Sequence, residues 1–282
     1  MKIPIVYLLG AGRSGTTLMA TVLNSHEQIE TVGEMHQFFE HLQEDKKCSC
    51  GSELNRCVFW SPILSELNYK NHQIVSHVQI TSEKERHSNI GKYLFKKKTN
   101  KRYLEIQEKY FTAISKNTNA TWLLDSSKYI ARFLLLKRSG ALNVKGIYVV
   151  RDIRGVINSF NKQVQTPKSP MSTIFYYWLI NFFGQVVCAL NKDVIKIKYE
   201  DFVSNPEIAT NLIYNHVFVR KSRVTLPNEF EIPHIIGGNR MKKDKSIVIR
   251  KDEQWKNSLS RTEQIKYYML TFPIMILNKY KI

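Results

Sequence analysis

Residues 3–24 constrain the fold more than any other stretch of this chain. An apolar run, Ile3 to Leu9, gives way to Gly10-Ala11-Gly12-Arg13-Ser14-Gly15-Thr16-Thr17, and Ser14 to Asn24 then carries Leu18, Val22 and Leu23 at helical spacing. A short apolar run that ends at glycine reads as a buried parallel strand, so the segment predicts strand, glycine loop and helix. Amide groups at a helix start lack internal partners and lie at the positive end of the peptide dipoles, which suits a phosphate. Set on the pattern G-x-x-x-x-G-K-[ST], the lysine position holds Thr16, and the cation appears instead as Arg13 in mid-loop. A nucleoside triphosphatase needs that lysine on its terminal phosphates, so the loop points away from ATP.

A second constellation lies farther along. Leu142 to Val150 reads as another buried strand and runs directly into Arg151-Asp152-Ile153-Arg154-Gly155, with Ser159 on the helix that follows. Open α/β sheets bind ligands at the carboxyl ends of their strands, where Arg151 falls. An arginine and a serine converging there suit a second, separate phosphate through charge-assisted hydrogen bonds.

With both pieces in view, the chain resembles the sulfotransferases that use 3′-phosphoadenosine 5′-phosphosulfate (PAPS) as donor. Gly12 to Leu18 looks like that family's 5′-phosphosulfate loop, and Val149 to Ser159 like its 3′-phosphate motif. The resemblance continues in Leu124-Asp125-Ser126-Ser127-Lys128, in Lys198-Tyr199-Glu200-Asp201-Phe202, and in Gly237-Gly238-Asn239-Arg240 followed by Trp255. It implies an α/β, three-layer P-loop fold with a central, mostly parallel sheet flanked by helices. It also implies PAPS as co-substrate, no required metal, and donor contacts from Arg13, Ser14, Gly15, Thr16, Thr17, Arg151, Ser159 and Arg240. The arginine in the first loop is similar to the branch that includes many bacterial members and the tyrosylprotein sulfotransferases.

Sulfuryl transfer needs a base for the acceptor proton and cations where charge gathers on the leaving oxygen. Arg13 and Lys128 are suitable cations, Lys128 because it follows the expected strand Trp122 to Leu124 and opens a helix at the same sheet edge. Glu34, which follows the apolar run Ile29 to Val32, ranks first as base, and His36 second. The acceptor is a hydroxyl of a glycan, a tyrosine or a small alcohol. A P-loop kinase using ATP and a non-catalytic nucleotide or polyanion binder are the competing classes.

The phosphate motifs lie near both ends of the sequence and no Pro/Gly/Ser linker divides it, so residues 1–282 read as one domain, with a helical insert over the cleft at about 60–120. Forty-two Lys and Arg against 24 Asp and Glu give a formal net charge of +18, which draws in anions such as PAPS or a charged glycan. Basic runs such as Lys96-Lys97-Lys98 and Lys242-Lys243 are not interleaved with aromatics, so nucleic acid is not the expected partner. Neither a signal peptide nor a membrane span is expected, and a cytoplasmic location follows. Helices are predicted at Met171 to Leu190, Pro206 to Val217 and Thr262 to Leu277, and a strand at Asp193 to Tyr199. The stripe Phe175, Trp178, Leu179, Phe182, Phe183 reads as core. Cys48, Cys50 and Cys57 cluster, with His41 upstream, in a pattern that fits either a zinc site or a disulfide; Cys188 stands apart.

Overall fold

The glycine loop emerges from strand β1, Ile3–Gly10, in a computed structural model that describes residues 2–96, 98–162, 168–219, 224–238, 241 and 244–282. The other sheet members are β2 (Ile29–Gly33), β3 (Trp122–Lys128), β4 (Leu142–Val150) and β5 (Val194–Lys198). Among the described residues their order is β2-β3-β1-β4-β5, and β3 pairs in parallel with both β1 and β2. This is a central, mostly parallel sheet flanked by helices, the expected α/β three-layer architecture. Consecutive strands that are not neighbours require crossovers, and the helices between them supply these.

The chain divides into two compact units. One comprises residues 1–9, 17–146 and 229–247, the other residues 10–16, 147–228 and 248–282. In the first, Leu9 sits in register beside Lys128, so the last residue before the glycine loop adjoins the end of β3. β3 is longer than the sequence suggests: it runs through Asp125, Ser126 and Ser127 to Lys128, and a helix begins only at Ile130. Polar residues at a strand end defeat a hydrophobic pattern, yet Asp125 is fully buried here because it has partners. Arg132 Nε and Nη2 donate to Asp125 Oδ2 at 3.0 and 2.8 Å, while Arg132 Nη1 donates to Glu85 Oε1 at 2.7 Å. Gln107, Tyr103 and Tyr110 complete the shell around this guanidinium. The region expected as an insert supplies most of that shell, from the helix Lys101–Lys116 and from Glu85, which follows the helix Asn71–Lys84.

In the second unit the helix Pro170–Leu190 packs on Ile153–Asn161, on Phe272–Leu277 and on β5. Its buried face is Thr173, Ile174, Tyr177, Ile180, Asn181, Gly184 and Val187, not the expected aromatic stripe: Phe175 and Phe182 are 73% and 55% exposed. Gly184 and Asn181 turn that face inward: Gly184 admits the Tyr148 ring, whose Cε2 would lie 2.5 Å from an added Cβ, and Asn181 Oδ1 accepts from Tyr148 OH at 2.7 Å. This is the one helix among the described residues long and apolar enough to cross a membrane. The predicted helix at Thr262 to Leu277 is two, Arg261–Leu270 and Phe272–Leu277, broken at Thr271 ahead of Pro273.

Candidate functional site

In the second unit the glycine loop closes on aromatic rings. Gly10, Arg13 and Gly15 all have positive φ, and at Gly15 (φ +87°) an added Cβ would lie 2.3 Å from Tyr199 Cδ2, so only glycine lets the loop settle on that ring. Gly12 N donates to Tyr176 OH at 2.8 Å, and the Arg13 guanidinium lies 5.4 Å from the Phe160 ring centroid. Ser14 is buried, and its Oγ has no hydrogen-bond partner among the described residues. A buried hydroxyl without a partner inside a turn of glycines, at the mouth of the helix Thr16–Leu23, is the donor set a phosphate group would satisfy.

Arg151 lies beside this loop. Its Nη1 donates to the Arg13 carbonyl at 3.0 Å, and its guanidinium carbon is 4.3 Å from the centroid of the Tyr199 ring. One tyrosine therefore supports both the loop at Gly15 and the arginine at the end of β4. Arg151 folds back over its own helix, Ile153–Asn161, where Gly155 makes room; Ser159 is one turn farther on the same face. Arg151 Nη2 also meets Asp252 Oδ2 at 2.9 Å. Burial opposes ionisation of Asp252, but the Arg151 hydrogen bond and charge prevail and hold its carboxyl below the usual range. Glu200 fixes the helix start beneath, accepting from Asp152 N at 3.0 Å and from Tyr280 OH at 2.7 Å. Arg154, paired with Asp152, lies 4.2 Å from the centroid of Trp255.

In the first unit Glu34 Oε1 and Lys128 Nζ form an ion pair whose side chains are 9% and 17% exposed. Lys128 adopts φ +73°, a conformation lysine rarely takes, which turns its side chain off the end of β3. Glu34 N donates to the Ile236 carbonyl at 2.7 Å. Gln37 Nε2 donates to Glu34 Oε2 at 2.8 Å and contacts His36 Nε2 at 3.3 Å. His36 packs on Tyr129, with ring centroids 4.5 Å apart, and its buried Nδ1 has no hydrogen-bond partner among the described residues. Burial above all, then the charges of Lys128 and Arg132, hold His36 well below the usual imidazole range, so the ring is neutral at neutral pH. The Asp125 carboxylate organises this corner by accepting from Ser127 N at 2.9 Å and from Ser127 Oγ, and Ser127 Oγ in turn accepts from His36 N at 3.0 Å.

The sulfotransferase family model matches residues 4–220, well over half of the chain. The chain belongs to the sulfotransferase family. Among solved structures, the chain is similar to the sulfotransferase domain from the curacin biosynthetic pathway, at 16% identity and a TM-score of 0.55 over the full length of both chains. It is also similar to the sulfotransferase domain from the Synechococcus PCC 7002 olefin synthase, at 16% identity and a TM-score of 0.53, covering 100% of this chain and 97% of that one. At such identities the likeness concerns the fold. A local match joins 73 residues, 26% of this chain, to the IgM protease of Streptococcus suis strain P1/7 at 36% identity; the chain spans 6% of that protein's length.

The fold thus places Arg13, Ser14, Gly15 and Thr16 in one unit with Arg151 and Ser159, and Glu34, His36 and Lys128, with Thr17, in the other. Arg240, Lys97, Lys242 and Lys243 lie outside the described residues. His41 is not beside the cysteines: its Nδ1 contacts the Gln37 carbonyl at 3.1 Å and its Nε2 accepts from Gly237 N at 3.2 Å. The histidine that meets the thiols is His234. Tyr199, Gly155, Gln37 and Arg132 were not legible as site residues. Tyr199 and Gly155 carried a signal only as members of the Lys198 to Phe202 and Val149 to Ser159 motifs; Gln37 and Arg132 carried none.

Proposed function

We propose that this sulfotransferase moves a sulfuryl group from PAPS to an acceptor hydroxyl by in-line displacement. The observation that carries the reading is the junction of two anion cradles, where Arg151 donates to the Arg13 carbonyl at 3.0 Å and both segments rest on Tyr199. One adenylate with a 5′-phosphosulfate and a 3′-phosphate offers two anionic groups to such a pair. On this reading Ser14, Gly15, Thr16 and Thr17 hold the 5′ end, and Arg151 and Ser159 hold the 3′-phosphate, with Arg240 as a later contact. Arg13 in the first loop is the reason for assigning the chain to the branch with arginine there, and the whole chain acts as one sulfotransferase domain.

The acceptor oxygen attacks sulfur, the bond from sulfur to the bridging phosphate oxygen breaks, and adenosine 3′,5′-bisphosphate (PAP) leaves with the charge. Glu34 takes the hydroxyl proton; Lys128 and Arg13 stabilise the leaving oxygen. Glu34 ranks before His36 because an amide nitrogen only donates, so Gln37 already occupies the accepting nitrogen of a neutral His36. The residues at 60–120 select among glycan, tyrosine and small-alcohol acceptors.

The test is a pair of substitutions measured against radiolabelled PAPS and a panel of those three acceptor classes. Glu34→Gln and Lys128→Ala lower transfer by about 10²-fold or more, as loss of a proton acceptor or charge stabiliser does, while PAP affinity by calorimetry stays within about threefold of wild type. Undiminished transfer in both variants removes the two residues from the mechanism. No heat with PAP and no labelled product from any acceptor removes the reading itself.

A further inference from the structure

Cys48, Cys50, Cys57 and His234 take no part in the chemistry above, yet their three sulfurs and one ring nitrogen all lie within 4.8 Å of one another. Cys57 Sγ is 3.2 Å from His234 Nδ1, Cys48 Sγ is 3.8 Å from the same nitrogen, and Cys50 Sγ is 3.7 Å from Cys57 Sγ. A zinc ion with Zn–S of about 2.3 Å and Zn–N of about 2.0–2.1 Å at tetrahedral angles has ligand edges of about 3.8 Å between sulfurs and about 3.5 Å between sulfur and nitrogen. The observed spacings bracket those edges. They do not suit a disulfide, which holds its sulfurs about 2.05 Å apart, and all four cysteines are free thiols.

We propose that these four residues form a structural zinc site. Two chain segments are preorganised for it. The first is a tight loop in which Lys47 bridges Glu53, Cys48 N donates to the Ser52 carbonyl at 2.9 Å, and Gly51 N returns to the Cys48 carbonyl at 2.9 Å. Gly51, at φ +85°, makes the reversal. The second segment brings His234 from 177 positions beyond Cys57. Its backbone is pinned on both sides: Ser49 Oγ donates to the Pro233 carbonyl at 2.6 Å and accepts from Ile235 N at 3.0 Å, and Trp60 Nε1 donates to the His234 carbonyl at 3.0 Å. The ring stacks on Phe59, 10° from parallel, with Nδ1 turned to the sulfurs. Three thiols and an imidazole are a closed donor set that zinc favours, with no position left for a reacting water. Each thiol that binds gives its proton to solvent, and nothing is oxidised or reduced.

The metal's effect is mechanical. It ties the Cys48 loop to Pro233–Gly237, the segment whose Ile236 carbonyl accepts from Glu34 N and whose Ile236 N donates to the Val32 carbonyl at 3.2 Å. Gly33 seals that contact, since an added Cβ would lie 2.2 Å from the Ile236 oxygen. The site depends on none of the sulfuryl-transfer assignment.

The full chain, purified without chelator or added metal, contains about one zinc per molecule by elemental mass spectrometry. Cys50→Ser, chosen because Cys50 is exposed and tolerates change, and His234→Ala both lose most of that zinc; Cys188→Ser retains it. Exchange of wild type with cobalt(II) alone gives a thiolate-to-cobalt charge-transfer band and the d–d bands of a tetrahedral ion, a readout that needs no variant to fold. The proposal is overturned by wild-type protein that holds less than about a tenth of an equivalent after dialysis against zinc. Equal zinc in Cys50→Ser, or a disulfide among the three cysteines in non-reduced peptide maps, overturns it as well.

Discussion

Gln37 is the hinge of the acid corner, because a single amide nitrogen touches both Glu34 and His36. That arrangement requires His36 to stay neutral, and burial pushes its proton affinity the same way. The consequence is a pH dependence of stability whose sign is fixed. The unfolded chain titrates His36 near 6.5, while the folded chain resists protonation until well below that value. Between those two limits the unfolded state binds more protons, so stability is full above about pH 6.5 and declines as pH falls, by up to about 1.4 kcal/mol per pH unit for one such group. His77, depressed chiefly by burial, adds a slope of the same sign, so the difference between wild type and His36→Gln isolates His36. Urea midpoints taken between about pH 7.5 and 5.5 should fall more steeply for wild type than for the variant. Parallel slopes would mean that His36 titrates normally in the folded chain.

The helix Ile153–Asn161 shows how one element serves an arginine that is not part of it. An alanine at Gly155 would set its Cβ 2.9 Å from Arg151 Nε and 3.3 Å from Nη2, closer than side chains pack. Alanine also favours a helix interior over glycine by about 0.8–1 kcal/mol, so the two effects act on different observables. Gly155→Ala should leave the melting temperature equal to wild type or higher while weakening PAP about tenfold, because the guanidinium must swing off the helix. Unchanged PAP affinity would mean that Arg151 binds the ligand in another rotamer. The same element marks the boundary of what a linear reading reveals. Strand, loop and helix around Arg13 and Arg151 were legible because their chemistry is contiguous in sequence and their hydrophobic periods are short. The role of Gly155 was not, since it lies in what Arg151 does next to it rather than in any pattern. Pro170–Leu190 misled for a related reason: two faces of one apolar helix satisfy the same spacing, and only Tyr148 against Gly184 and Asn181 decides between them. Arg132, Glu85 and His234 stayed hidden because their partners lie from 7 to 186 positions away.

Across the whole molecule, the formal excess of 18 positive charges cannot reside in the interior, where Arg132 faces both Asp125 and Glu85. The surplus is spread over exposed lysines and arginines, and such a field acts at long range on an approaching anion. Contacts such as those of Arg151, which is 5% exposed, act only after docking and are shielded from salt. The two contributions separate in kinetics. Raising ionic strength from about 0.05 to 0.5 M shortens the screening length from about 14 to 4 Å, so the association rate of PAP should fall by roughly tenfold while its dissociation rate stays nearly constant. Stopped-flow measurement of both rates checks this. If salt instead accelerates dissociation by the larger factor, PAP is held at the exposed surface by screened charges, and the buried junction of Arg13, Arg151 and Tyr199 is not where it binds.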